Sequence, residues 1–396
     1  MPNRDSDVIV IGGGAAGLMA AISAARHGAK VTLIEKNLRL GKKILATGNG
    51  RCNLSNTSIG KPESFLQYNK PDFVSSILQR IDCGAIRACF DDFGLMTVTD
   101  KSGWVFPRTR TAQTVVDVLM NEIDRLDIAA FAGQEATGIN SYENGYRVDA
   151  GGGIYSARAL VLACGVESLL KSFHILHLVE SQPVLGPLKT ELDPIRGLDG
   201  VRAVCRIYLT EGKDIVSWQD GELLFRDYGL SGIAVFNLSR FAKPGYTISI
   251  DFFPELDRDK LEVLLEKRWD RADKCHAALL LTGMVHSKIV QAVLRKSGIR
   301  AQEDLDAEKL RSLVYHLKAF KLKVVGCPTK ELAQVTRGGL STEDFDPQTL
   351  ATFDQPHLFA AGECLDVDGA CGGFNLHWAW ASGLTAGEYG AKAALG

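Results

Sequence analysis

The chain has 396 residues, 46% of them hydrophobic, and 45 Lys plus Arg stand against 47 Asp plus Glu for a formal net charge of −2. That length and apolar content support two or three domains with real cores and exclude a disordered chain. The near-zero charge provides no global basic field for nucleic acid or an anionic membrane, and nine cysteines without CxxC or zinc-like spacing point to reduced thiols and a cytoplasmic protein.

Val8–Ile11 is a short apolar run of the kind found in buried parallel strands, and Gly12, Gly14 and Gly17 follow it as GxGxxG. The first glycine suits the tight turn, the second the approach of a pyrophosphate, and the third close helix packing. Ala15–Ala25 is small and apolar, as a helix pressed on a sheet requires, and Gly28 closes it. Val31–Ile34 is the second strand, and Glu35 ends it where a carboxylate can accept from ribose hydroxyls. A lone GxGxxG is weak, but strand, glycines, helix, strand and acid in register specify a dinucleotide site, and the acid favours FAD or NAD over NADP. Val8–Ala25 carries no charge, yet its glycines and Asp7 mark a strand–turn–helix rather than a signal peptide or membrane span, and no targeting segment is expected.

Residues 47–53, TGNGRCN, are too glycine-rich for a helix or central strand and read as a loop with exposed backbone donors, suited to a cofactor wall. Residues 72–93 read as one helix with Phe73, Ile77, Ile81 and Phe90 on a face; a hairpin turns at Asp100–Gly103; Thr111 caps a helix to Leu126. Tyr146–Ala150 and Ile154–Ser156 form a hairpin about Gly151–Gly153 that leads into a buried strand, Ala159–Ala163. The triple glycine lacks the helix and acid of a second nucleotide fingerprint.

Near residue 186 the composition changes. Val201–Leu209, Ile215–Trp218, Glu222–Phe225 and Tyr246–Ile250 read as antiparallel strands, and 257–318 shows helical periodicity. His174, His177, His276, His286 and His316 make no recognised metal-ligand spacing, so no metal is expected. From 357 onward sheet-and-helix character returns, with a strand at Leu358–Ala361, then Gly362 and Glu363, a glycine-rich turn and a small-residue helix from Phe374.

The fingerprint, LGKKILATGNGRCNLSN after it, GELLFRDYGLSG at 221–232 and LFAAGECLDVDGACGGFNL at 358–376 together resemble the bacterial BaiN/RdsA-type FAD-dependent oxidoreductases over most of the chain. The resemblance implies an α/β fold: a discontinuous glutathione-reductase-type FAD-binding Rossmann domain (1–185 and 332–396), an inserted antiparallel β-barrel-like domain (186–256 and 319–331) and a helical subdomain (257–318). Carried over by position, Gly12, Gly14, Ala15, Ala16, Gly17, Glu35 and Lys36 would hold the ADP half of FAD. Lys43, Thr47, Gly48, Asn49, Gly50, Arg51, Cys52 and Asn53, with Ala163, Gly165, Gly362 and Glu363, would line the cofactor. Asp366, Asp368, Gly372, Gly373, Phe374, Asn375 and Leu376 would face the ribityl chain and the flavin ring. The chain departs from the family pattern at Ala163-Cys164-Gly165-Val166, where Ala-Thr-Gly-Gly is usual, in a shortened 167–188 segment, and at Ile233, where proline is common.

The activity implied is NAD(P)H-linked flavin reduction followed by reduction of a small conjugated or carbonyl-like organic substrate. The alternatives are a flavin oxidase of a small, aminoacetone-like amine that forms hydrogen peroxide, a flavin-binding protein without catalysis, which the shortened 167–188 segment suggests, and an RNA-modifying flavoprotein, for which Lys267, Arg268, Trp269 and Arg271 are the sequence hint. Neither a membrane nor nucleic acid is expected as partner. Tyr228, His377 and Cys52 are the catalytic candidates, by their place in flavin-facing motifs. With one fingerprint in the chain, NAD(P)H is expected to bind transiently over the exposed flavin face.

Overall fold

An apolar run such as Val8–Ile11 is stable only between two layers, and in the computed structural model Val8, Ile9 and Val10 are wholly buried. The structure describes residues 4–142, 145–165, 176–271 and 277–396. The chain forms two compact units, Met1–Gln182 with Val335–Gly396, and Pro183–Gln334.

The first unit is built on a seven-stranded sheet in the order Ala129–Ala132, Val31–Glu35, Arg4–Ile11, Gly153–Leu162, Gly145–Ala150, Ala136–Tyr142, with Leu358–Ala360 added beside Gly153–Leu162. Val8 lies level with Val31 on one side and Ala159 on the other, all parallel. The expected hairpin arm and buried strand are one continuous strand, Gly153–Leu162. Its first half pairs antiparallel with Gly145–Ala150 and its second half parallel with Leu358–Ala360. The anticipated single helix over 72–93 is two, Pro71–Leu78 and Cys83–Asp92. The break is chemical: the Asp82 carboxylate accepts from the Ala85 N–H at 2.8 Å and caps a new helix, which overrides the continuing apolar period.

The chain's two ends meet in this unit. The C-terminal helix, Phe374–Leu395, packs on the helix Ala15–Arg26 that opens at the fingerprint. Gly383 and Gly387 stand one turn apart on the contact face; a Cβ at either would overlap the carbonyl oxygen of Ala16 or Ala20. The two backbones therefore touch, and Ser23 Oγ donates to the Leu384 carbonyl across the contact at 2.8 Å.

The second unit holds a closed six-stranded barrel, in the order Leu188–Thr190, Gly229–Ser231, Asp214–Arg226, Arg202–Glu211, Thr247–Asp251, Phe320–Gly326. The segments read separately as Ile215–Trp218 and Glu222–Phe225 are one strand, Asp214–Arg226, paired along its length with Arg202–Glu211. The helices Arg258–Arg271, Ala277–Leu280, Ser287–Ser297 and Ala307–Lys318 follow. Their Leu261, Val293, Leu313 and Leu317 share one apolar core with Ile207, Phe225 and Ile250 of the barrel. Lys318 Nζ fixes the last helix to the barrel, 2.7 Å from the Asp251 carboxylate.

The helix contact gives a direct test. Gly387→Val should cost about 3 kcal/mol of stability or more, because the neighbour it meets is backbone. Gly390 lies on the same helix, where a Cβ would meet Val161 Cγ2 at an ordinary 3.5 Å, so Gly390→Ala should be neutral or stabilise by up to ~1 kcal/mol through helix propensity. Urea unfolding of the two variants checks this; equal midpoints would contradict it.

Candidate cofactor-binding site

The fingerprint's glycines separate by what surrounds them. Gly12 has φ +109°, and a Cβ there would overlap the Ala163 carbonyl; one at Gly13 would overlap the Leu40 side chain, and one at Gly17 the Gly12 carbonyl. These three are required by the protein's own packing. Gly14 is different: nothing lies within 4 Å of a Cβ built on it. It caps the helix Ala15–Arg26 without a side-chain hydrogen bond, and the first turn carries no acidic residue. The first N–H groups of a helix lack intrahelical partners and carry partial positive charge, so this open turn fits an anionic pyrophosphate.

Glu35 ends its strand nine-tenths buried, with its carboxylate already oriented. Oε2 accepts from the Gly13 N–H at 2.6 Å, and Oε1 accepts from the Asn37 N–H at 2.7 Å and from Asn37 Nδ2 at 2.5 Å. Gly13 and Asn37 were not among the sequence candidates; an Asn two residues beyond a strand-ending acid is the signal that could have found the second. Lys36 is exposed.

Several stretches distant in sequence converge on this turn. A Cβ at Gly362 would come within 2.7 Å of Ala16 Cβ, and one at Gly165 within 3.7 Å of Lys43 Nζ. Lys43 pairs with Glu363 at 2.9 Å, and that carboxylate holds the ammonium above its ordinary range. Ala163 donates its N–H to the Ile11 carbonyl at 2.8 Å. The loop after Lys43 turns through left-handed backbone at Gly48, Asn49, Gly50 and Cys52. Thr47 Oγ1 donates to the Ile44 carbonyl at 2.6 Å, and the exposed Arg51 guanidinium lies 5.4 Å from the Phe106 ring centre. Asn53, oriented by its neighbours, donates to the carbonyls of Ser55 and Val105 and accepts from the Gly373 N–H at 3.2 Å. That donor at the head of the C-terminal helix is thus taken by the protein itself.

Asp366 and Asp368, read as flavin-facing, hold protein groups. Asp368 is fully buried and accepts from Arg337 Nε at 2.7 Å and Nη2 at 3.1 Å. Asp366 accepts from the Gly338 N–H at 3.0 Å and from Asn69 Nδ2 at 3.2 Å, with Lys70 Nζ 3.5 Å away. Asn375 brackets the preceding turn, accepting from the Gly369 N–H and donating to the Gly369 carbonyl, both at 2.8 Å. The Phe374 carbonyl accepts from Tyr68 OH at 2.9 Å, and Leu376 is half-buried. A Cβ at Gly372 would sit 3.1 Å from Trp104 Nε1.

The three catalytic candidates fall in different surroundings. His377 is fully buried, its ring nitrogens engaged by Ser55 Oγ at 2.8 Å and by the Ile81 carbonyl at 2.9 Å. Burial pushes its pKa down to about 4, so it is neutral at physiological pH. Cys52 is also wholly buried, and desolvation raises its thiol to about 12. Tyr228 belongs to the second unit, half-buried, with the Arg226 guanidinium 6.0 Å from its ring centre.

Among the histidines, His174 and His276 lie outside the described residues. His177 Nδ1 is 2.7 Å from an Asp344 oxygen, a surface pair made by chain folding rather than sequence spacing. Among the described residues no group of three or more His, Cys, Asp and Glu could hold a metal, and no helix is long and apolar enough to cross a membrane.

The model of the HI0933-like protein Rossmann domain matches residues 6–389. The chain belongs to this family, and with it to the FAD-dependent oxidoreductases. It is 31% identical to a 3-dehydro-bile acid delta(4,6)-reductase of Clostridium scindens, over 97% of this chain and 98% of that one. It is 28% identical to the ribosomal RNA dihydrouridine synthase of Escherichia coli, over 95% and 96%. Among solved structures, the 3-ketosteroid-delta4-(5alpha)-dehydrogenase of Rhodococcus jostii shares the fold at a TM-score of 0.51 and 16% identity, covering 100% of this chain and 98% of that one.

Two outcomes follow from the site. Gly14→Val should abolish FAD binding by filling the open turn, while Glu35→Ala should weaken it by about 1–3 kcal/mol, the scale of hydrogen bonds to a charged group; flavin fluorescence titration reads both. For His377, the unfolded imidazole takes up its proton near 6.5 and the folded one only near 4, so stability is full above that window and is lost as pH falls through it, by about 3 kcal/mol in total. The stability gap between the wild type and His377→Gln should therefore narrow from pH 7 to pH 4.5 in chemical unfolding; a constant gap would contradict the assignment.

Proposed function

We propose that the protein is an FAD-dependent reductase that saturates a carbon–carbon double bond conjugated with a carbonyl group in a small organic ring compound, with NAD(P)H as the source of hydride. The observation that carries this reading is the near end-to-end similarity to the 3-dehydro-bile acid delta(4,6)-reductase, at 31% identity. The open turn at Gly14, the oriented Glu35 carboxylate and the Lys43–Glu363 pair support a dinucleotide flavin as the resident group.

When bound, FAD supplies two-electron hydride chemistry. The chain's share is to hold and shield it. The Gly14 turn and the first N–H groups of the helix Ala15–Arg26 would take the pyrophosphate, and Glu35 the adenosine ribose. Lys43 and Glu363 would close the wall beside Gly165. His377, neutral and bonded on both nitrogens, supports Ser55 and the Ile81 carbonyl and fits a structural part better than proton transfer.

A second reading is favoured by the match to ribosomal RNA dihydrouridine synthase. The double bond of uracil that is reduced in dihydrouridine is also conjugated with a carbonyl, so the bond chemistry is shared and the size of the substrate separates the two. The net charge of −2 favours the small molecule, because binding to RNA draws heavily on cationic contacts.

Supplied with NADPH or NADH, the protein should add two hydrogens to a 3-oxo-4-ene steroid acid for each nicotinamide oxidised and leave the uridines of ribosomal RNA unchanged, both read by mass spectrometry. Dihydrouridine formed while the enone stays intact would move the assignment to RNA; hydrogen peroxide formed with a small amine would move it to an oxidase. With a single fingerprint, nicotinamide and organic substrate should use the flavin face in turn, so double-reciprocal rate plots at several fixed acceptor concentrations should be parallel. Intersecting lines would reveal a separate nicotinamide pocket.

A further inference from the structure

The strand Gly153–Leu162 and the turn Gly362–Cys364 are neighbours at the fingerprint end of the sheet. Leu162 lies level with Ala360, and its carbonyl accepts from the Ala361 N–H at 2.9 Å. This register brings the residues just beyond each strand together, and the thiols of Cys164 and Cys364 are near enough to shift one another's titration. Cys364 is fully buried, whereas Cys164 is partly exposed. Both flank the candidate cofactor wall: Cys164 precedes Gly165, and Cys364 follows Glu363.

We propose that Cys164 and Cys364 form a reversible oxidation site, in which hydrogen peroxide converts the paired thiols to a disulfide beside the cofactor wall. The Cys164 thiolate attacks one peroxide oxygen and the O–O bond breaks, leaving Cys164 as a sulfenic acid and releasing hydroxide, which takes up a proton to become water. The Cys364 sulfur then attacks the Cys164 sulfur; the S–S bond forms and the sulfenic oxygen leaves as a second water. Two thiols lose two electrons and two protons, and one peroxide becomes two waters. A dithiol reductant reverses the step by exchange.

The order of the sulfurs follows from their surroundings. The neighbouring Cys364 thiol and the positive charge of Lys36 lower the pKa of Cys164, while the same neighbour and complete burial raise that of Cys364. Cys164 is also the one that peroxide can reach. Cys52 makes a useful contrast: buried, with its thiol raised to about 12, it should stay reduced.

The full-length protein, treated with a modest excess of hydrogen peroxide, alkylated and digested, should show the Cys164 and Cys364 peptides joined, with the loss of two hydrogens and full recovery after dithiothreitol. Cys371→Ser should keep the link. Cys364→Ser should stop at a sulfenic acid on Cys164 that dimedone traps, and Cys164→Ser should leave Cys364 reduced. Peptide mapping of the wild type decides the matter even where a variant folds poorly. If both thiols remain open to alkylation in the oxidised wild type, if Cys164 is found joined to Cys371, or if Cys164 passes to sulfinic acid without a disulfide, the proposal is overturned.

Discussion

The backbones of two helices, one from each end of the chain, touch where Gly383 and Gly387 meet Ala16 and Ala20. Most helix pairs stand apart by the thickness of their side chains. Here the separation falls to backbone contact, and the N-terminal turn gains a fixed wall behind it. Trp378 and Trp380, both buried, extend that wall by donating to the carbonyls of Gly362 and Leu54. The turn at Gly14, with nothing within 4 Å of a Cβ built there, lies outside this contact, so close backbone packing and an open cradle coexist along one helix.

The same economy shows in the site's polar groups. Glu35 is oriented by Gly13 and Asn37, and Asp368 by Arg337. A carboxylate already held by N–H donors loses little freedom when a ligand arrives, which is what preorganisation contributes to affinity. Asp366 and Asp368 engage Gly338, Asn69 and Arg337, and so fix the glycine-rich turn that leads to the C-terminal helix.

Much of the first unit was legible because its signals are local. The fingerprint, the hairpin at Asp100–Gly103, the Thr111 cap and the helix from Phe374 each depend on residues within a few positions of one another. The break at Asp82 was hidden, because the apolar period runs through it and only the capping hydrogen bond marks the restart. Strands Ala129–Ala132 and Ala136–Tyr142 were missed because they run along the sheet's two outer edges, are largely exposed, and carry no clear alternation. Partners far apart in sequence left no trace at all: Ser55 with His377, Arg337 with Asp368, His177 with Asp344. In the second unit the helical period at 257–318 was plain, but a shared core with the barrel is a tertiary fact that periodicity does not carry.

We propose that the turn at Gly14 and the carboxylate of Glu35 hold a flavin dinucleotide that serves the reduction of a conjugated double bond. The most direct test is an anaerobic half-reaction followed by flavin absorbance. NADPH or NADH should bleach the bound flavin, and mixing the reduced protein with a 3-oxo-4-ene steroid acid, in the absence of oxygen, should restore the oxidised spectrum. A flavin that stays bleached with the enone and recovers only when oxygen is admitted would contradict the account.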